Sequence, residues 1–447
     1  MGYRPDLGRL GAERSVREII GHLSVGLLGL SLVFGGIEAI TIAVVPLEFC
    51  ALPILALVAW TLYKTGLPRD LRIPAALACL VAIVPLLQLI PIAHSLWILL
   101  PGREAADLAT QLAQVTPDWL PASLTPDMTW RSFLVLLPPL GVFFGALACS
   151  GNHRRRMVMV VLLAVGANAL LGATQLGDKS VGGLFGNPNH LATLLVMALP
   201  LAAAYFLPIE RSPTKDPRVS MVWIGLFVMV TLVALGVVRS RFGIILAVPA
   251  AASSVTLIWL ARQRKDRGRG VIALALLVAA SVGAVALFQS SPILTTFEET
   301  DLFATRRDGW ETTISAARTY LPIGSGVGSF TAVYAGFEPV DQVQESVLNH
   351  AHNDYAELWL ETGLVGAIGI ALFLAWWAWQ SARAWLSPAI NRATLFAQAA
   401  ALSCGFALLH SIVDYPLRTE AISTVFALCC ALVSLRTVSR AEEAGSR

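Results

Sequence analysis

The sequence predicts an all-α protein that crosses a membrane many times. Hydrophobic residues make up 56% of the 447-residue chain and charged residues 14%, and the mean hydropathy is +0.69, outside the usual balance of soluble domains. Apolar runs of roughly 17 to 25 residues, the length of a bilayer-spanning helix, recur along the chain. Basic residues are concentrated in alternate connections between these runs, as the positive-inside rule expects of a polytopic protein.

About twelve runs are long enough to be transmembrane helices. The first follows Arg14 and Arg17 and has no small-residue cleavage site behind it, so we interpret it as an uncleaved span and not as a signal peptide. The six cysteines fall in apolar runs without CxxC spacing, which is typical of packing residues and not of a disulfide or metal framework. The predicted spans centre near Leu28, Pro53, Ala82, Val142, Leu163, Met197, Val228, Ala250, Ala279, Ile368, Leu402 and Ala427.

The basic connections, such as 154–156 and 262–269, are predicted to face the cytoplasm together with both chain termini. The other connections then face outward, and they include two long polar segments, about residues 101–131 and 289–354. The second is a large external loop before the tenth span. The basic run ARQRKDRGR is better explained by topology or lipid headgroups than by nucleic acid, because no DNA-reading module accompanies it.

Chemically versatile residues are concentrated in HAHNDYAELWLETG, at the end of this external loop. Asp354 is predicted to cap the following helix, and Glu357 completes a capping-box pattern. His350 and His352 then lie on irregular backbone just outside the helix, while Glu357 and Glu361 share one helical face. A histidine beside carboxylates is a candidate general base. The alternative is a surface histidine whose hydrogen bonds are satisfied by water or a carbonyl.

Two arginines in VVRSRFG occupy a very tight turn between two apolar spans, on the external side. Positive charge is not expected there from topology, and desolvating it is costly. Arg239 and Arg241 therefore indicate either an anion-binding site or a structural ion pair with an external carboxylate.

The external segment TRRDGWETTISAARTYLPIGSGVGSF opens with Arg306 and Arg307 and continues as a short amphipathic helix. It ends in a glycine-rich turn at Gly324, Gly326 and Gly328. These glycines have no Walker lysine and do not join a strand to a helix, which excludes a nucleotide site. Close backbone packing or a tight turn explains them better.

Two further external turns carry polar residues. In GGLFGNPNH, Asn189 stands at the start of the sixth span and is a candidate helix cap. In HSIVDYPLRTE, Asp414 and Arg418 are four residues apart, a spacing that suits either a local ion pair or a functional pair.

The motifs GNPNHLATLL, SRFGIILA, RDGW with PIGSGVGSF, HAHNDYAELWLETGLVG and HSIVDYPLR, taken in order, resemble the bacterial O-antigen ligase and Wzy-type polymerase superfamily. The resemblance runs from about Gly183 to Arg418, and the first five spans match only as generic hydrophobic helices. It divides the chain into N-terminal transmembrane helices (1–182), a catalytic membrane domain (183–435) that includes the periplasmic loop 289–354, and a cytoplasmic tail (436–447).

The resemblance implies a glycosyltransferase of the bacterial inner membrane with its active site facing the periplasm. Such an enzyme moves a glycan from undecaprenyl pyrophosphate to an acceptor, either a glycan or lipid A core, in O-antigen or exopolysaccharide assembly. It works among membrane lipids without nucleic acid, nucleotide sugar, cofactor or metal. Whether the chain is a polymerase, a ligase or a protein-glycosylating relative stays open, because these motifs do not identify the acceptor.

The resemblance also implies roles for individual residues. Guanidinium groups bind the charge of a pyrophosphate leaving group well, and a histidine can take the proton of the acceptor hydroxyl. Arg241, one of Arg306 and Arg307, and His352 match the catalytic residues of the family. The expected substrate-binding residues are Arg239, His350, Asn353, Asp354, Asn189 and Arg418.

A transporter with twelve spans, carrying a glycolipid or another anionic substrate, is the alternative class. In such a transporter we would expect the two halves of the chain to be related and the binding site to lie at the membrane midplane. Here the polar loops are unequal and the candidate residues cluster on one face, which favours the enzyme.

Overall fold

The computed structural model describes residues 7–37, 44–115, 117–175, 181–208, 217–262, 302–340, 343, 347–388 and 391–435. Within these ranges the chain is helical apart from turns and two three-residue strands, β1 (Pro91–Ala93) and β2 (Trp119–Pro121), which pair antiparallel. The α-helices are α1 Leu7–Phe34, α2 Val45–Thr65, α3 Arg72–Gln88, α4 His94–Trp97, α5 Glu104–Leu112, α6 Pro126–Val135, α7 Leu137–Ala148, α8 Gly151–Thr174, α9 Pro188–Phe206, α10 Pro217–Val238, α11 Arg241–Arg262, α12 Leu302–Thr319, α13 Phe330–Tyr334, α14 Asp354–Trp385, α15 Arg392–His410 and α16 Glu420–Ser434.

Ten helical segments in the described ranges are long and apolar enough to cross a membrane, with α6 and α7 counted as one. They coincide with ten of the predicted spans. The run near Ala427 forms the shorter α16, of 15 residues, and the run near Ala279 lies outside the described residues. The all-α membrane architecture is thus confirmed, while the count of twelve and the outward position of loop 289–354 stay predictions.

Helix α9 lies at the centre of the bundle. Every residue from His190 to Ala204 is buried, and the helix packs against α8, α10, α11 and α15. Small residues allow these close approaches: a Cβ on Gly243 of α11 would lie 2.5 Å from the Cβ of Ala192. Outer helices instead expose large apolar side chains, such as Leu163 at 63% and Val248 at 71%, a surface that lipid tails cover.

Helix α14 is broken at Gly363, whose φ of 56° and ψ of −139° are not helical. A Cβ at this position would collide with the carbonyl oxygen of Pro322, and the N–H of Leu364 donates to the same oxygen at 2.9 Å. The break separates a short N-terminal part from residues 364–385, which span about 33 Å at 1.5 Å per residue. Asp354, Glu357 and Glu361 therefore precede the part of α14 that is long enough to span a membrane.

The glycine-rich turn packs its backbone on this break, as the sequence predicts. Gly324, Gly326 and Gly328 have φ values of 87°, 113° and 85°. The N–H groups of Ser325 and Gly326 donate to the carbonyls of Leu360 and Glu361 at 3.0 Å each. Side chains would not fit here, since a Cβ on Gly324 would lie 2.5 Å from the Glu361 carbonyl oxygen.

The cysteine prediction is correct for four of the six residues. Cys149, Cys404, Cys429 and Cys430 are buried and form no disulfide, but Cys50 and Cys79 are exposed and are not packing residues of the core. Their apolar surroundings in sequence indicate membrane helices, and sequence alone did not distinguish an inward from an outward face.

Candidate active site

Three helix N-termini meet at one end of the bundle, together with one turn. The helices are α9, α11 and α14, and the turn joins α15 to α16. The N–H of Asp354 donates to the carbonyl of Ser411 at 3.0 Å, which ties α14 to the turn. Helix N-termini carry partial positive charge and unpaired N–H groups, so their convergence favours an anionic substrate.

Asn189 connects two of these helices to the turn. Its Nδ2 donates to Asp414 Oδ2 at 2.6 Å, and its Oδ1 accepts from Ser240 Oγ at 2.8 Å. Ser240 Oγ in turn accepts from the N–H of Gly243 at 3.2 Å, in the manner of an N-cap of α11. The prediction that Asn189 caps α9 is wrong, because Asn187 is the cap and accepts from the N–H of Asn189.

The tight turn with the two arginines is present between α10 and α11. Arg239 adopts a positive φ of 56°, a conformation that suits a turn of two residues. Arg241 is the first residue of α11, and both arginines are exposed. An exposed guanidinium at a helix N-terminus suits an anion site, and the assignment of both residues to substrate stays a prediction.

Arg418 is held by three carboxylates of α14. Its Nη2 lies 2.9 Å from Glu361 Oε2, its Nη1 3.0 Å from Glu357 Oε1 and its Nε 3.6 Å from Asp354 Oδ1. Burial alone lowers the pKa of Arg418, but the charges of Glu357, Glu361 and Asp354 outweigh it and raise the pKa above the ordinary value. Arg418 therefore stays charged. The spacing suggested a local pair with Asp414, whereas the ion pairs that the structure describes for Arg418 are with α14.

The start of α14 differs from the prediction in its capping. Asn353 is the cap, and its side-chain oxygen accepts from the N–H groups of Tyr355 and Ala356 at 3.0 Å each. Asp354 is the first residue of the helix and not the cap. The capping box predicted from Asp354 and Glu357 is wrong, because both carboxylates turn toward the Arg418 guanidinium instead.

Glu357 contacts both Arg418 and the loop that carries the histidines. Its side chain is buried, and besides Arg418 it accepts from the N–H of Ala351 at 2.9 Å and contacts His350 Nδ1 at 2.8 Å. Because a carboxylate accepts, Nδ1 of His350 carries the hydrogen and Nε2 is its basic atom. Glu357 thus orients His350 and fixes the loop in front of α14.

His352 is also held in a defined orientation. Its backbone φ is 50°, and its Nδ1 lies 3.1 Å from the carbonyl oxygen of His350. A carbonyl can only accept, so Nδ1 carries the hydrogen and Nε2 holds the basic lone pair. The ring is half-buried, and the carbonyl of His352 accepts from Trp310 Nε1 at 3.2 Å. Geometry therefore permits either His352 or His350 to act as a base through Nε2.

Tyr415 connects the histidines and was not found from the sequence. Its ring centroid lies 4.2 Å from that of His350, 4.8 Å from that of His190 and 5.0 Å from that of His352. The Tyr415 hydroxyl accepts from Asn349 Nδ2 at 3.4 Å. Nothing in the local sequence pattern marks this tyrosine, because its partners come from other parts of the chain.

Arg306 and Arg307 lie in the first turns of α12, and their side chains are outside the described residues. They stand about one helical turn before Trp310, whose indole reaches the carbonyl of His352. The structure thus brings the start of α12 toward the histidine loop.

The carboxylates of α14 are not arranged as a metal site. Asp354, Glu357 and Glu361 surround the guanidinium of Arg418, which occupies the position that a cation recruited by them would take. At this end of the bundle, the described residues therefore place an arginine where carboxylates alone would favour a divalent ion.

Fold and site together define a polytopic α-helical membrane protein with a histidine- and arginine-bearing polar site at one end of its bundle. Residues 226–371 match the family model described as O-antigen ligase. This match confirms the resemblance to the O-antigen ligase and Wzy-type superfamily that the motifs predict. It includes Arg241 and His352 but not Asn189 or Arg418. No curated protein matches the chain significantly.

Proposed function

We propose that the protein transfers a glycan from undecaprenyl pyrophosphate to an acceptor sugar on the periplasmic face of the inner membrane, in O-antigen or exopolysaccharide assembly. The family match over residues 226–371 supports the reaction class. The observation that carries the proposal is the histidine loop with its two oriented imidazoles, beside helix N-termini suited to an anion.

The donor pyrophosphate binds at the start of α11. Arg241 presents a planar guanidinium that matches two phosphate oxygens, and the helix N-terminus adds N–H groups and partial positive charge. Arg239, with one of Arg306 and Arg307, completes the anion site. A lipid-borne pyrophosphate arrives along the bilayer surface, which explains arginines at a membrane boundary.

The acceptor hydroxyl oxygen attacks the anomeric carbon of the donor sugar. A new C–O bond forms, and the bond from that carbon to the pyrophosphate breaks. The hydroxyl proton passes to Nε2 of His352, and the negative charge on the departing undecaprenyl pyrophosphate is held by the arginines. His350, oriented by Glu357, is the alternative base.

The remaining polar residues position this machinery. Asp354 and Arg418 hold the start of α14 against the turn, and Asn353 caps it. Asn189 links the start of α11 to the same turn. These residues line the substrate site, and their hydrogen bonds fix the distance between donor and base.

The test is transfer by the purified, full-length protein in liposomes that contain a lipid-linked glycan and an acceptor glycan. A new glycosidic bond with release of undecaprenyl pyrophosphate is expected. Movement of intact glycolipid across the bilayer, without bond formation with any acceptor, would establish the transporter instead. Surface glycans of a deletion strain then identify the acceptor: short chains indicate a polymerase, and glycan left on the lipid carrier indicates a ligase.

A further inference from the structure

Two histidines and a glutamate form a second cluster at the other end of the bundle. Glu18 and His22 are one turn apart on α1, and His153 lies near the start of α8. One ligand-type atom from each residue lies within 4.8 Å of the others, and His153 Nε2 is 3.7 Å from Glu18 Oε2. The rings of His22 and His153 meet edge to face at 4.7 Å.

The cluster is remote from the histidine loop. The C-terminal end of α1 reaches the polar site, where Gly35 and Gly36 hydrogen-bond to Ala421 and Gly186. Glu18 lies about 24 Å back along the same helix at 1.5 Å per residue. The two clusters therefore stand at opposite ends of α1, and the second belongs to the basic side, which the positive-inside rule assigns to the cytoplasm.

His153 gives the independent indication of a ligand. Its side chain is 1% exposed, and its Nε2 has no hydrogen-bond partner among the described residues. Its other ring nitrogen, Nδ1, is 2.9 Å from Ser150 Oγ. A buried nitrogen left without a partner destabilises the fold, so the position of His153 Nε2 beside a carboxylate and a second imidazole indicates an additional partner.

His22, the second histidine, is oriented as a metal ligand would be. His22 Nδ1 lies 2.8 Å from the carbonyl oxygen of Glu18 and therefore carries the hydrogen. Its Nε2 holds the lone pair, as in metal sites where a backbone carbonyl fixes the tautomer of a ligating histidine. Gly21 makes room for the cluster, because a Cβ there would collide with the His153 ring.

We infer that Glu18, His22 and His153 bind a divalent transition metal of the Zn²⁺ type. Two imidazoles, one carboxylate and a water complete a tetrahedral set that Zn²⁺ prefers. Ligand atoms in such a site are ~3.3 Å apart, and rotation of the exposed Glu18 side chain would bring its carboxylate to that distance while His22 keeps its hydrogen bond to the Glu18 carbonyl. The metal would join α1 to α8 on the basic side of the membrane.

The single carboxylate is essential to this site. Arg156 acts on His153 electrostatically, and Arg17 and Arg154 are close in sequence, so the surroundings oppose a cation. Glu18 supplies the only negative charge among the three ligands. Replacing Glu18 with glutamine, its neutral isostere, should therefore weaken metal binding although the side chain retains a ligand oxygen.

The experiment is a titration of the purified, tag-free, full-length protein in detergent with Co²⁺, followed by displacement with Zn²⁺. Visible absorption of tetrahedral Co²⁺ should saturate at about one equivalent per chain. His22→Ala and Glu18→Gln change exposed side chains and should fold normally. Each should weaken binding by more than about 100-fold, because the first removes a ligand and the second removes the only negative charge among the three ligands.

His94→Ala is the matched control, because His94 pairs with Asp107 far from the cluster in sequence, and it should bind as the unaltered chain does. Absence of the tetrahedral spectrum in the unaltered chain, or its persistence in His22→Ala and Glu18→Gln, would overturn the inference. A spectrum lost equally in His94→Ala would also overturn it, since binding would then not be specific to the cluster.

Discussion

Asn189 Nδ2 donates to Asp414 Oδ2 at 2.6 Å, although 225 residues separate the two positions. The same asparagine accepts from Ser240, the residue immediately before Arg241. The start of α11, with its exposed arginine, is therefore positioned from the turn that also carries Tyr415. Through Tyr415 that turn contacts the rings of His350 and His352.

Asn189→Asp should lower transfer without unfolding the protein. The substitution keeps the shape but replaces a donor to Asp414 by a second carboxylate, so a charge-assisted hydrogen bond of about 1.5–3 kcal/mol is lost. We expect transfer to fall by roughly 10- to 100-fold at that cost. Transfer per unit of membrane-inserted protein is the measurement. Asn152→Asp, at an exposed position on α8, is the control, and equal effects of the two changes would contradict the positioning role.

Arg418→Met should destabilise the protein more than Arg241→Met. Removing Arg418 leaves Glu357 and Glu361 buried without their counter-charge, and breaking a buried pair in this way costs about 3–5 kcal/mol. Arg241 is exposed, and its loss should cost much less. Thermal unfolding of the two variants in the same detergent tests this. Equal midpoints would show that the three carboxylates do not depend on Arg418.

The sequence was sufficient to predict features that depend on local residue patterns. Ten apolar runs became helices of membrane-spanning length because each run alone supplies the apolar surface that a span requires. The capping prediction missed by one residue: Asn353 and Asp354 are both good caps, and the choice depends on Arg418, which is distant in sequence.

The polar site was predicted as a set of residues but not as an arrangement. Its links join positions far apart in sequence, such as Ser240 with Asn189 and His350 with Tyr415. No periodicity encodes such pairs. Tyr415 and His153 were missed for the same reason. Acidic residues at the start of a transmembrane run, such as Glu357, are recognisable because a charged side chain is energetically costly there.

Loop 289–354 should lie outside the cytoplasm. The basic residues of the alternate connections fix the opposite face as cytoplasmic, and Val343 is exposed within this loop. A reporter that works only after export should be active when fused at Val343, and one that works only in the cytoplasm should be inactive. The reverse result would invert the topology and remove the lipid-linked donor from reach of the site.

Gly363→Ala should be damaging, whereas Gly369→Ala on the same helix should be tolerated. Gly363 occupies a backbone conformation that side chains rarely adopt, and a Cβ would collide with the Pro322 carbonyl oxygen. The cost should be at least about 2 kcal/mol. A Cβ on Gly369 would meet Leu80 at 3.7 Å, an ordinary contact. Membrane abundance and thermal stability are the readouts, and equal tolerance would refute the role of the break.

Substitutions of Arg241 and His352 should affect different steps of the same reaction. Arg241→Lys keeps the charge but loses the planar fork, so a bidentate grip on pyrophosphate predicts weaker donor binding and severely reduced transfer. Arg241→Ala should be worse. Arg318→Lys is the control, because Arg318 is exposed on α12 and has no assigned role. Full transfer by Arg241→Lys would reduce Arg241 to a structural ion-pair partner.

His352→Ala removes the proposed base but leaves the anion site, so the lipid-linked donor should still bind while turnover falls by roughly 100- to 10,000-fold. His350→Ala should instead disturb the Glu357 hydrogen bond and lower stability. Donor binding, transfer and thermal stability are measured together for both variants. If His352→Ala retains full transfer and His350→Ala loses turnover with donor binding intact, the base is His350, oriented by Glu357 as a carboxylate orients a catalytic imidazole.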